Sequence, residues 1–397
     1  STEILQRIFG IQLDISSPIH INGNLSEQNE ELNLFVNAPL FSYNGKPFHN
    51  GNIEVTTQGK ELCMDAHVCQ GLSFEMAPEY ALRAKACDNV LNTKVNYDNH
   101  SKKLPVKGFL DAETQFGKNE HGMTSINMNV KPSHIMLGDT RWDVISSNIN
   151  YVKNHLSVDN FTVKHDNQHI IVNGKASPSP EDSIVADLKD VDVAYILNLV
   201  NFHSVDFAGK ATGKAIVKSL FNQPDAYAKL DINDFLFENG PLGVLHAFVN
   251  YNKVDEQIDI KAVADEDKGN QTIIDGYVSP KRNYIDLGIT AVGTNMKFME
   301  SFCGSFMDNI EARASGKVNV VGDLSNINLV GDIEATGKMH MTQLNTEYHF
   351  EKLKAHAIPD DILLRNDTIY DRNGHIAIVD GGIHHKHLTK LSYDLDL

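Results

Sequence analysis

The chain has 397 residues, enough for two or three ordinary domains or one repeat protein. Its formal charge of −17 and pI near 5.4 argue against a nucleic-acid partner and against docking on an anionic membrane through a basic face. At 41% hydrophobic residues a large apolar surface is available, yet no run of about 18 apolar residues occurs that would span a bilayer as a helix.

In chain order, residues 5–23 read as strand, turn, strand, stopped by Gly23 and Asn24. Leu32, Leu34 and Val36 then alternate with Asn33, Phe35 and Asn37. A period of two is extended chain with successive side chains on opposite faces. Strand-like pieces follow at 52–57, 61–69, 80–97 and 104–115, separated by Gly, Asn, Asp and Lys clusters. That spacing predicts an antiparallel all-β chain. Ile126, Met128 and Val130 alternate with Asn127 and Asn129, and Pro132 ends the piece.

Two segments break the period. Residues 192–201 carry Val193, Ile196, Leu197 and Val200 at helical spacing, with Asp192 as N-cap. Residues 295–306 carry Phe298, Met299, Phe302, Cys303 and Phe306 after a Thr294 or Asn295 cap. Both predict short amphipathic helices. The longest alternation runs from 327 to 341. Ile327, Leu329, Gly331, Ile333, Ala335, Gly337, Met339 and Met341 form one set, and the residues between them are almost wholly polar. At about 3.3 Å per residue this run extends roughly 50 Å, several ordinary strands long unless a bend divides it. A final alternation, Leu391, Tyr393, Leu395 and Leu397, closes the sequence.

The pattern also repeats. Segments 147–174, 247–276 and 346–381 each hold a strand ending at a tyrosine (Tyr151, Tyr251, Tyr348), an alternating strand, a charged turn and a strand ending near a glycine. Strands, a short helix and strands recur at about 100 residues, a solenoid-like plan in which neighbours pack on neighbours. The expected layout is one elongated segment of a longer protein: entry strands at 1–130, units at 131–230 and 231–330, and a partial unit at 331–397.

Chemistry-bearing clusters are sparse. His384, His385 and His387 place two rings on one face without a third ligand, which reads as a solvated strand end. Asp255-Glu256, Asp265-Glu266-Asp267 and Asp360-Asp361 lack calcium-loop spacing and read as exposed turns. Cys63, Cys69, Cys87 and Cys303 form no CxxC pair, and a disulfide among the first three is open but not required. Trp142 reads as a packed aromatic. Nucleophile-elbow, P-loop and zincin motifs are absent, as are carboxylates in register across the repeats. The expectation is a protein that is not an enzyme and that uses no cofactor or metal. The apolar alternation has two readings: the core of a β-sandwich, or the lining of a half-open trough.

At 316–353 and 362–385 the chain resembles the TamB family of the AsmA-like superfamily, in the version seen in Bacteroidetes. The resemblance rests on the run GKVNVVGDL, the long alternating strand, the step LNTEY and the run IYDRNGHIAIVDGGIHH. It covers about 130–397 well, with 174–200 fitting too, and the first part more loosely. It implies an elongated β-taco, or repeating β-groove, of long antiparallel strands. It further implies a protein anchored in the inner membrane outside this segment and crossing the periplasm of a Gram-negative bacterium. The implied role is phospholipid transfer and outer-membrane biogenesis, with acyl chains and a barrel protein of the BamA/TamA type as partners. An alternative role is a scaffold for barrel assembly by strand-edge pairing. Groove-lining residues, placed by alternation, are Ile126, Met128, Val130, Ile258, Ile260, Ile327, Leu329, Ile333, Met339 and Met341.

Overall fold

The computed structural model describes residues 13–28, 30–73, 77–199, 205–267, 269–324, 326–386 and 389–396. The strands among them join one 27-stranded antiparallel sheet. In chain order they are β1 (Leu13–Ile15), β2 (His20–Ser26), β3 (Glu31–Tyr43), β4 (Lys46–Gln58), β5 (Glu61–Gln70), β6 (Glu79–Cys87), β7 (Val90–Asp98), β8 (Val106–Lys118) and β9 (Thr124–Leu137). Then come β10 (Thr140–Ile145), β11 (Ser147–Val152), β12 (His155–His165), β13 (Gln168–Ala176) and β14 (Ser183–Asp192). After helix α1 (Val193–Leu199) follow β15 (Phe207–Lys218), β16 (Asp225–Phe237), β17 (Gly240–Pro241), β18 (Val244–Asn252), β19 (Gln257–Asp265), β20 (Gln271–Ser279) and β21 (Tyr284–Asn295). Helix α2 (Met299–Cys303) precedes β22 (Met307–Asp323), β23 (Asn326–Met341), β24 (Thr346–Ile358), β25 (Asp361–Asp371), β26 (Ile376–Lys386) and β27 (Thr389–Asp396). Contacts divide the chain into two compact units, Ser1–Val185 with Ser219–Asn222 and Ala186–Lys218 with Gln223–Leu397.

The all-β expectation holds, and so do both helices. Asp192 caps α1 by accepting the Ala194 amide at 3.0 Å. Thr294 does not cap α2. Its hydroxyl pairs with that of Thr272 at 2.7 Å. Asn295 does not cap α2 either: its Oδ1 accepts the Lys297 amide at 2.9 Å before the helix begins, and the N-cap position is Phe298, without a side-chain cap. Residues 5–12 of the strand, turn and strand predicted over 5–23, Val200 and Asn201 of the first helix, His387 and Leu397 lie outside the described residues.

One predicted strand is two. Residues 80–97 divide at Asp88 and Asn89, whose φ values of 49° and 65° build a two-residue turn of the kind that closes hairpins. Asp and Asn tolerate this left-handed conformation, so β6 and β7 pair tightly across it. In the third repeat, Tyr348 sits near the start of β24 rather than at a strand end.

The long strands are bent, and the bends are β-bulges. The register shifts within β4–β5, β8–β9, β12–β13, β15–β16, β21–β22, β22–β23, β23–β24 and β25–β26. A bulge inserts an unpaired residue, kinks its strand and frees a backbone amide. In places a neighbouring side chain takes that amide. At two of them, Ser133 Oγ accepts the Asp111 amide at 2.9 Å and Ser315 Oγ that of Gly293 at 3.0 Å. The 327–341 run is not divided: it is the single strand β23, and the extra residue opposite Ala335 and Gly337 lies in β24. Ser133 is buried, so Ser133→Ala leaves its amide without that acceptor. We expect a loss of about 1–3 kcal/mol in urea unfolding; an unchanged midpoint would show that the bulge needs no such acceptor.

Candidate functional site

Directly paired residues of an antiparallel ladder point to the same side of the sheet. In the unit holding most of 186–397, this builds rows of side chains across the strands. One row is Ala215, Ala228, Val249, Ile260, Gly276, Leu287, Val320 and Leu329, one residue from each of eight strands. At about 4.8 Å per strand it extends roughly 34 Å. A second row lies two residues away. It runs Gly213, Leu230, Ala247, Ala262, Ile274, Ile289, Val318, Gly331, and on through Ala357, Ile362 and Ile383 to Tyr393. No residue of either row is charged.

The two rows differ in what covers them. Every residue of the first is partly exposed. Beyond the second lies a third, which includes Ala211, Ile232, Leu245 and Ala264, and α1 packs on these with Val193, Ile196 and Leu197. Helix α2 packs similarly over Ala312, Ala314, Ala335, Leu364 and Ile383. The helices therefore lie on the apolar side, and the opposite side is wet. On β23 that opposite side carries Asp332, Glu334, Thr336, Lys338 and His340, cross-paired to Glu311, Glu347, Asp308 and His356.

Aromatic contacts fix the curvature of this unit. Phe298 and Phe302 lie 5.1 and 6.4 Å from Phe237 of β16, while Phe306 lies 4.2 Å from Tyr393 of β27. Along the ladder, β16 and β27 are ten steps apart, passing β18 through β26 one strand at a time. Laid flat, that is about 48 Å. The nine residues 298–306 span about 14 Å at helical rise. One short segment touches both strands only because the sheet curls around it, so the apolar face of this unit is concave.

All ten residues placed by alternation lie on the apolar side of their own unit. Ile258, Ile260, Ile327, Leu329 and Ile333 share ladder rows across β19–β23. Ile126, Met128 and Val130 face the same side as Phe116, Thr114 and Ala112 of β8 in the other unit. There Met128 continues a row of Leu62, Ala86, Leu91, Thr114, Met128, Ile149 and Val158. Exposure separates the ten. Val130 (1%), Ile327 (5%) and Met341 (6%) are fully buried, and Met339 packs against the cluster beneath α2. Ile126, Met128, Ile258, Ile260, Leu329 and Ile333 stay partly exposed. Burial depends on what the helices cover, which alternation along one strand does not encode.

The polar clusters hold the sheet together. Glu266, read as an exposed turn residue, is a correction: its side chain is only 7% exposed. It holds Arg313 at 2.8 Å and accepts the Asn295 amide at 2.8 Å, tying the β19–β20 turn to β21 and β22. All four cysteines are free thiols. Trp142 is buried. Among the described residues, no group of three His, Cys, Asp or Glu side chains is arranged to hold a metal ion.

His384 bridges three strands, with Nδ1 at 2.5 Å from Asp361 of β25 and Nε2 at 2.8 Å from Asp394 of β27. The Asp361 contact first, then Asp394, holds the imidazole above its ordinary value. A raised folded-state value favours the folded protein below the unfolded value, near 6.5, and that contribution fades as pH climbs through the raised midpoint. The melting temperature of His384→Gln should therefore fall furthest below wild type under mildly acidic conditions and approach it at alkaline pH. Parallel pH profiles would refute this role for His384.

No protein-family model matches the chain, and neither the curated proteins nor the solved structures contain one similar to it.

Proposed function

We propose that the concave apolar face holds phospholipid acyl chains and passes them along the sheet, with head groups left in water. The observation that carries this reading is the eight-strand row from Ala215 to Leu329. It is uncharged, continuous, partly exposed and backed by a polar outer face. A sandwich core of the same composition would be closed by a second sheet. An acyl chain asks for the reverse, a continuous apolar strip that it can enter from the side.

Such a strip offers many near-equivalent positions and no single deep well, which suits movement better than storage. The resemblance to the TamB family supports the same reading. It suggests a periplasmic setting, between an inner-membrane anchor and a barrel partner, in which lipid moves toward the outer membrane.

The test is native mass spectrometry of the gently purified protein, with lipid extraction alongside and a benzophenone amino acid at Leu329. Co-purifying phospholipid and lipid cross-links at Leu329 are the expected result. A protein that arrives empty, refuses added lipid and instead cross-links polypeptide clients at strand edges would favour the assembly scaffold.

A further inference from the structure

Helix α2 occupies the face that the lipid reading needs. Phe302 and Cys303 of the helix, with Phe306 just after it, share one buried cluster with Ala312, Ala314, Ala335, Leu364 and Ile383, a floor of small and aliphatic side chains. This floor borders the second row directly, and Ile383 belongs to it. The floor is therefore continuous with the open strip, and the helix fills it much as a ligand would.

The helix is weakly built. Its five residues fall well below the roughly 12–15 at which a helix persists by itself, so packing alone keeps it formed. Two polar ties to the sheet stand out. Ser301 donates its hydroxyl to the Glu238 carbonyl at 2.6 Å, and Glu300 Oε1 accepts the Ile310 amide at 2.7 Å. Both flanks are already broken ladder. The register shifts between Ala291 and Thr294 on one side and between Asp308 and Glu311 on the other. Gly293 and Asn309 hold left-handed backbone at those two bulges. Pairing persists at Asn295 and resumes at Met307, and residues 297–305 between them lie off the ladder, so that stretch can leave the sheet without unzipping either strand.

We propose that the seat of α2 is itself an acyl-chain site, and that lipid arriving from the open rows displaces the helix from it. This rests on the lipid reading above. The exchange trades one apolar occupant for another, so the floor stays covered throughout. An emptied seat would leave a dry apolar cavity, which is costly. The helix is then a built-in competitor that keeps the seat closed until an acyl chain reaches it.

Cys303 reports the exchange. It is 0% exposed, and burial pushes its thiol up to about 12, so the closed form offers almost no thiolate for alkylation. Alkylation with N-ethylmaleimide, read by peptide mass mapping, is followed with and without a monoacyl phosphatidylcholine below its micelle concentration. A benzophenone at Leu329 records lipid on the open row in the same samples. We expect lipid to raise the Cys303 rate at least about tenfold, as for a local opening. Buried Cys63, in the other unit, should not change.

Lipid cross-linked at Leu329 with an unchanged Cys303 rate would overturn displacement and leave the lipid reading intact. No cross-link at Leu329 and no change at Cys303 would overturn both. A second variant keeps the seat testable without lipid: Ser301→Ala should raise the basal Cys303 rate several-fold, and an unaltered rate would count against a helix held this lightly.

Discussion

Gly331→Val should severely destabilise the unit that contains it, whereas Gly288→Ala should be tolerated. Gly331 lies on the apolar side of β23 with φ of 146°, a conformation that side-chain-bearing residues rarely adopt. A Cβ there would lie 2.2 Å from the Lys317 carbonyl oxygen and 2.8 Å from the Val318 Cα. Both are backbone atoms of the paired strand, so relief means separating β22 from β23. Strain and lost ladder together come to roughly 3–5 kcal/mol, a large fraction of the 5–15 kcal/mol that ordinarily holds a domain. Gly288 has no such crowding. The nearest heavy atom to its Cβ would be 3.5 Å away, the Asp275 carbonyl oxygen. Circular dichroism and urea unfolding of the two variants check the contrast. A Gly331→Val protein that unfolds at the wild-type urea midpoint would mean that the strands do not approach as described.

The second large effect belongs to the open row. The pair Ile260→Asp and Leu329→Asp should cut phospholipid capture by at least about a hundredfold while leaving the fold in place. Both side chains are partly exposed, so a carboxylate at either can keep much of its water in the empty protein. Beneath an acyl chain it cannot, and burying an unpaired carboxylate against hydrocarbon costs several kcal/mol. The same change at Ile327 or Met341 would be uninformative, because those side chains are buried and the carboxylate would destabilise the fold itself. Equilibrium binding of a fluorescent phospholipid to the folded double variant is the measurement. Wild-type affinity would remove the open row from the lipid path.

The alternation along each strand was readable because a period of two leaves a mark on every residue. Ile327 to Met341 alone announced a two-faced strand, and Asp192 announced the start of a helix. Features arising between strands left fainter marks. The bulge at Ala335 and Gly337 depends on an extra residue in the partner strand, so nothing in 327–341 located it. Glu266 looked like part of an acidic turn because its partner, Arg313, is 47 residues away. The Asp88-Asn89 turn was missed for another reason. The strands on either side are both apolar enough to read as one, and only the paired left-handed residues divide them. The sandwich and the trough could not be told apart in the sequence. Their difference lies in whether Leu287 or Val320 is covered, and no strand's own pattern encodes its cover.

Among the described strands, almost every ladder joins a strand to the next in the chain, with short detours such as β9–β11 and β16–β18. Such a protein can be assembled as it emerges, each new strand settling on the one just made, without waiting for a distant partner. It should also come apart in the same order. Pulled from one end in a force spectrometer, it should pay out in many small increments, a strand or hairpin at a time, in place of one cooperative rupture.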